Sequence, residues 1–142
     1  MFKTTLSAAA LMGAMFVSTA AFADGHSGGD AAEGEKTFRK CASCHAVGEG
    51  AKVKVGPPLT DIIGRTAGTY EGMRYGDDLV AAGAAGLVWD GAEMFAYLED
   101  PRKYLRAKLD DKKARSKMAF KLRKAEDRAD VIAYLESLKP AE

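Results

Sequence analysis

The chain has 142 residues, with 21 basic and 20 acidic side chains, a formal net charge of +1, two cysteines and two histidines. That length suits one domain with one core, and two cysteines permit at most one disulfide. No internal repeat or low-complexity tract is present, and past the first two dozen residues no stretch is apolar enough to cross a bilayer. The amino terminus reads as an export signal: Lys3, then an apolar run from Leu6 to Val17, then the small-residue site Ala21-Phe22-Ala23. An uncleaved anchor is the rival, but the run is rich in Ala and Gly and shorter than a span of about 20 strongly apolar residues. Cleavage after Ala23 is expected, making residues 1–23 a signal peptide. Residues 24–30, Asp-Gly-His-Ser-Gly-Gly-Asp, read as a flexible leader, and residues 31–142 as the folded domain.

A first helix is expected from about Ala31 to Lys40, leading into Cys41-Ala-Ser-Cys44-His45. C-x-x-C-H is a haem-attachment pattern. Two thiols separated by two residues can add to the two vinyl groups of one porphyrin, and the next residue then offers an imidazole nitrogen to the iron. A structural zinc site would need further ligands, and the remaining histidine, His26, sits in the leader. A thioredoxin-like pair would need a βαβ context, and a plain disulfide would leave His45 without a role.

The sixth iron position decides between electron transfer, which suits a His/Met pair, and gas binding or catalysis, which suit an open site. Beyond the signal segment the methionines are Met73, Met94 and Met118. Met94 falls in a helical pattern with Phe95, Tyr97 and Leu98 and reads as core. Met73 lies in a loop, and spacing alone leaves it open. Met118, in the non-helical Ser116-Lys-Met-Ala-Phe120, suits a strap across a haem face and ranks first.

Further along, Asp90-Gly-Ala-Glu93 resembles a capping box and starts a helix to about Glu99, stopped by Pro101. A short helix from Pro101 to about Arg106 follows, with Pro in its first turn. The last helix runs from about Ala125 to Leu138, with Val131, Tyr134, Leu135 and Leu138 on one face. The expected class is all-α, with four to five short helices and long Gly-rich loops wrapped around one covalent haem. Charge is segregated: residues 24–100 carry 7 basic and 13 acidic groups, residues 101–124 carry 11 and 2, and residues 125–142 carry 2 and 5. Such a dipole orients encounters with an acidic partner.

Gly34 and Phe38 before C-x-x-C-H, Gly56-Pro57, Gly64-Arg65-Thr-Ala-Gly68, Trp89, Tyr97-Leu98-Glu-Asp-Pro101, Lys117-Met118-Ala-Phe120 and Ala133-Tyr134-Leu135 occur in the order of a known family. On these islands the chain resembles a class I c-type cytochrome, most closely the bacterial cytochrome c2 branch. The resemblance implies the cytochrome c fold, thioether bonds at Cys41 and Cys44, and axial ligation by His45 and Met118. It implies that the Pro57 carbonyl accepts from the axial imidazole, that Tyr97 bonds the methionine sulfur, and that Arg65, Tyr75 and Trp89 hold a buried propionate. Gly34, Phe38, Tyr134 and Leu135 match a crossing of the first and last helices. The chain departs from the family at Pro58, usually Asn, at Ser116, usually Thr, and in a lengthening over Lys108–Arg115.

The function implied is that of a soluble, monomeric, periplasmic electron carrier working by outer-sphere transfer, and not an enzyme. The donor implied is a cytochrome bc1 complex, and the acceptor a photosynthetic reaction centre, a terminal oxidase or a periplasmic reductase. A collar of Lys103, Lys108, Lys112, Lys113, Arg115, Lys117 and Lys121 is expected to dock acidic surfaces, and no nucleic-acid partner is expected. The alternative is a haem enzyme or gas sensor with a labile sixth ligand.

Overall fold

The computed structural model describes residues 28–139, so the signal segment and the leader up to residue 27 lie outside the described residues. The domain has five helices: α1 (Ala31–Phe38), α2 (Asp77–Ala84), α3 (Gly91–Glu99), α4 (Pro101–Lys108) and α5 (Ala125–Ser137). No sheet forms among the described residues, only a single antiparallel bridge between Thr66 and Val88.

α1 and α5 cross closely, and the sequence provides for it. Gly34 is buried in α1, and a Cβ there would overlap the Asp130 carbonyl of α5 and lie 2.8 Å from Tyr134 Cβ. The Phe38 and Tyr134 rings meet at 5.6 Å. Asp30 caps α1 by accepting from the amides of Ala32 and Glu33, and its own amide donates to Asp130 Oδ1 at 2.8 Å. Gly29 sits so close to α5 that a Cβ would meet the Ala129 carbonyl. The leader's last two residues are therefore part of the folded domain. The expectation of a flexible segment reaching Asp30 is corrected there, because the residue that caps α1 is also hydrogen-bonded across to α5.

α2 falls where the sequence suggested only loop. Its N-cap is Gly76, which supplies no capping side chain. Buried Gly83 lets the helix lie against the backbone of Ala67. α3 starts as expected after Asp90 and α4 at Pro101; the carboxylates of Asp90 and of Asp100, which caps α4, accept from the amides of Glu93 and Lys103. α4 ends with Asp110 at φ 49°, the left-handed position that terminates many helices. The Asp111 amide then reaches back to the Arg106 carbonyl at 3.0 Å. The lengthened stretch is thus an ordered turn, held further by Asp111 Oδ1 accepting from the Lys113 amide and by Arg106 Nε donating to the Ala114 carbonyl.

The core joins Phe38, Trp89, Met94, Tyr97, Leu98, Leu105, Val131, Ile132 and Leu135. Among the described residues no helix is long and apolar enough to cross a membrane.

Replacing Gly34 by Ala sets a helix-propensity gain of about 1 kcal/mol against an overlap with backbone that has no rotamer to retreat into. The overlap should win. Gly34→Ala is expected to lower unfolding stability by about 1–3 kcal/mol, read as a lower denaturant midpoint at unchanged slope.

Candidate functional site

The attachment motif begins where α1 unwinds. The Cys41 and Ala42 amides both donate to the Phe38 carbonyl, and the Cys44 and His45 amides both donate to the Cys41 carbonyl, at 3.0 and 2.9 Å. The chain turns tightly through the motif. Both cysteines are half-buried. Burial pushes the Cys41 thiol above its ordinary pKa, with Lys40 opposing the shift. A catalytic redox cysteine has its thiolate favoured, so Cys41 does not look like one.

His45 is fixed from the other side of its loop. Its Nδ1 lies 2.8 Å from the Pro57 carbonyl, which makes Nδ1 the protonated nitrogen and leaves Nε2 with its lone pair. Burial holds the imidazole pKa below the ordinary histidine value, against a smaller opposing pull from the Pro57 carbonyl. The ring is therefore neutral and able to ligate at neutral pH. Gly56 faces it: a Cβ there would overlap Cε1 and lie 2.7 Å from Nδ1. The Gly56 amide donates to the Cys44 carbonyl at 2.8 Å, and Lys54 Nζ donates to the Ala42 carbonyl. Two adjacent thiols, a neutral histidine with one nitrogen bonded to the backbone, and a glycine cradling its ring fit a covalently attached haem with a nitrogen ligand.

Across the domain, Met94 is buried in α3 at 6% exposure, so packing occupies it. Met118 is half-buried in the irregular segment before α5 and packs against the core. Met73 is half-buried in the 70–75 loop. Tyr97 is buried, and its ring contacts Trp89 edge-on at 4.9 Å and Tyr104 at 5.5 Å. Its hydroxyl lies 3.3 Å from Ser116 Oγ, not on the Met118 sulfur expected from the resemblance. A hydroxyl is the better hydrogen-bonding partner than a thioether, and Ser116 stands only two residues before the methionine.

The three expected propionate donors are placed as follows. Arg65 directs Nη1 to the Pro58 carbonyl at 2.9 Å and Nη2 to the Thr60 carbonyl at 2.6 Å, beneath the Tyr70 ring. Its guanidinium thus braces the loop that carries Pro57, and Pro58 serves that loop through its carbonyl. The Tyr75 hydroxyl accepts from the Tyr70 amide at 3.3 Å. Trp89 is 5% exposed, and its backbone bridges to Arg65 and Gly64.

The basic collar divides into two groups. Lys108 pairs with Glu93, which also accepts from the Tyr104 hydroxyl, and Lys121 pairs with Asp100 at 2.5 Å. Lys117 Nζ donates to the Arg74 carbonyl at 2.8 Å and has no carboxylate partner among the described residues. The side chains of Lys103, Lys112, Lys113 and Arg115 are exposed, with no partner among the described residues. Sequence reasoning missed one buried group, Arg128, which is 5% exposed in α5. Its signal was legible: it stands on the same stripe as Val131, Ile132 and Leu135, at i, i+3, i+4 and i+7.

Residues 31–139 match the family profile of cytochrome c. The chain is 45% identical over 136 residues to cytochrome c2 of Rhodobacter capsulatus, covering 92% of this chain and 94% of that one. It is 52% identical over 116 residues to cytochrome c-551 of Roseobacter denitrificans, covering 78% and 81%. The solved structure of cytochrome c2 from Rhodospirillum centenum superposes with a TM-score of 0.76 at 46% identity, over 79% of this chain and all of that one.

Gly56→Ala is expected to displace the His45 ring and break its bond to the Pro57 carbonyl, because the new methyl and the imidazole claim the same volume. The yield of haem-loaded protein should fall. The part that forms should unfold with about 1–3 kcal/mol less stability. Wild-type haem content and stability in this variant would show that the cradle does not constrain the ring.

Proposed function

The chain belongs to the cytochrome c family, and from that premise we propose that Cys41 and Cys44 carry its haem, that His45 and Met118 are the axial ligands, and that the periplasm is its working place. The protein is a cytochrome c2-type electron carrier with one covalently bound haem c, and not an enzyme. The observation that carries the ligand assignment is the contact of His45 Nδ1 with the Pro57 carbonyl at 2.8 Å, which leaves Nε2 for the iron. Bound between these residues, the haem supplies one-electron exchange.

The chain's own residues hold and insulate it. Pro57 orients the imidazole and raises its basicity. Met118, which packs against the core, would hold the haem from the other side, where its thioether would supply the second protein ligand and leave no open position for a substrate. Tyr97, through Ser116, holds the strap that carries Met118. Arg65, Tyr75 and Trp89 are assigned to the propionate side, with Arg65 also bracing the Pro57 loop.

The proposed donor is a cytochrome bc1 complex, and the proposed acceptor a reaction centre, a terminal oxidase or a periplasmic reductase. Docking is assigned to the collar, with unequal shares. The charges of Lys108 and Lys121 are partly cancelled by Glu93 and Asp100, so Lys103, Lys112, Lys113, Arg115 and Lys117 provide most of the field seen by an acidic partner.

Two measurements test this reading. The oxidised protein should show the weak band at the red end of the visible that reports an iron–methionine bond, and Met118→Ala should abolish it. A spectrum without that band at neutral pH would favour a labile sixth position instead. Association with an acidic acceptor should slow by at least about tenfold as salt screens the collar, since steering of this kind raises on-rates by about 10–10³-fold. Lys112→Gln should slow it more than Lys108→Gln.

A further inference from the structure

The segment carrying Met118 is pinned at both ends and free in the middle. Upstream, the Arg115 amide donates to Asp78 Oδ2 at 2.8 Å, Ser116 Oγ meets the Tyr97 hydroxyl, and Lys117 Nζ reaches the Arg74 carbonyl. Among the described residues, the backbone of residues 118–121 takes part in no hydrogen bond. Downstream, the Leu122 amide donates to the Leu98 carbonyl of α3 at 2.7 Å. Besides the Lys121–Asp100 pair at the surface, the remaining downstream contacts come from Arg128, whose Nη1 donates to the carbonyls of Leu122 at 2.9 Å and Arg123 at 2.7 Å.

Arg128 is an expensive residue for α5 to hold. Its side chain is buried among apolar neighbours, and its Nε has no hydrogen-bond partner, so packing alone would favour an apolar residue here. The charge is compensated by Glu99 Oε2, 3.6 Å from Nη2, and by the face of Phe95, whose centroid lies 4.3 Å from the guanidinium carbon. Both come from α3, the helix that also holds Leu122. The guanidinium thus joins three elements: α5, the face of α3, and two consecutive carbonyls on the way out of the Met118 strap.

We infer that Arg128 is a positioning residue for Met118: it latches the downstream end of the strap, and so sets how often the methionine leaves the iron. The inference rests on the assignment of Met118 as axial ligand. Without the two donations, the Leu122 and Arg123 carbonyls lose their donor, and the Leu122 amide and the partly exposed Lys121–Asp100 pair are left to tie the downstream end to α3. A purely structural role would lower global stability without favouring the strap's release over unfolding of the whole domain.

The test uses the haem-loaded ferric protein with free imidazole as probe. Imidazole reaches the iron only when the methionine is off, so its apparent affinity scales with that population. Arg128→Lys, which keeps the charge but loses the fork, and Arg128→Met are compared with Val131→Ala. Val131 is 2% exposed on the same helix, and its truncation weakens the core without removing a hydrogen bond to the strap. Arg128→Met should bind imidazole about tenfold tighter or more, with Arg128→Lys intermediate and Val131→Ala within about twofold of wild type. Hydrogen exchange at the Leu122 amide should speed up in the Arg128 variants more than exchange in α1. Should Arg128→Met fail to fold, Arg128→Lys carries the comparison alone. Equal affinities in the Arg128 and Val131 variants at matched loss of stability would overturn the latch. A wild-type protein without the iron–methionine band would instead overturn the ligand assignment, and the latch with it.

Discussion

The bond between His45 Nδ1 and the Pro57 carbonyl is the constraint on which the rest of this structure turns. A histidine beside two cysteines could rotate, exchange tautomers or protonate; one backbone acceptor twelve residues away prevents the first two, and burial disfavours the third. That acceptor must itself be held. Arg65 therefore donates to the Pro58 and Thr60 carbonyls, the Gly56 amide donates back to Cys44, and Gly56 has no side chain because the ring occupies that volume. The attachment turn in turn hangs from the end of α1, whose position is set by the Gly34 crossing with α5. A glycine at the rear of the molecule thus helps to aim a histidine at its centre.

The parts of this design legible in the sequence were those where one residue type has a single physical use. C-x-x-C-H, the Asp90 cap of α3, Pro101 and the apolar stripe of α5 all name their own places. α2 was not legible, because Gly76 carries no capping group and Asp-Asp-Leu-Val-Ala-Ala-Gly-Ala shows no sharp polar face; that helix exists through tertiary contact with Ala67. The contact of the Tyr97 hydroxyl with Ser116 was not read, because it depends on geometry that spacing does not encode. Arg128 went unread because an arginine is expected at the surface, even though its register was that of the core.

The same difference between charge as written and charge as placed governs the basic segment. Counting letters makes residues 101–124 uniformly positive. The fold then folds acidic residues of α3 and its cap against two of the lysines, and the turn at Asp110 lifts Lys112 and Lys113 into solvent. Exposed ion pairs of this kind contribute little to stability, typically about 0–1 kcal/mol. Their larger effect is on the field. Pairing Lys108 and Lys121 leaves the unpaired positive charge of the collar on Lys103, Lys112, Lys113, Arg115 and Lys117.

A carrier must keep both axial positions closed during transfer, yet Met118, the sixth ligand proposed here, stands in an irregular segment with few backbone partners of its own. Helix or sheet would satisfy that backbone locally, but neither passes over a planar cofactor with one side chain turned inward. The structure resolves this by ending the irregular stretch quickly: hydrogen bonds to Arg115, Ser116 and Lys117 on one side and to Leu122 and Arg123 on the other leave four residues to span the gap. Short free segments have little conformational entropy to gain by opening. On this argument the burial of Arg128 is a local cost of holding an unstructured ligand still, since no apolar side chain can donate to the two carbonyls that close the segment.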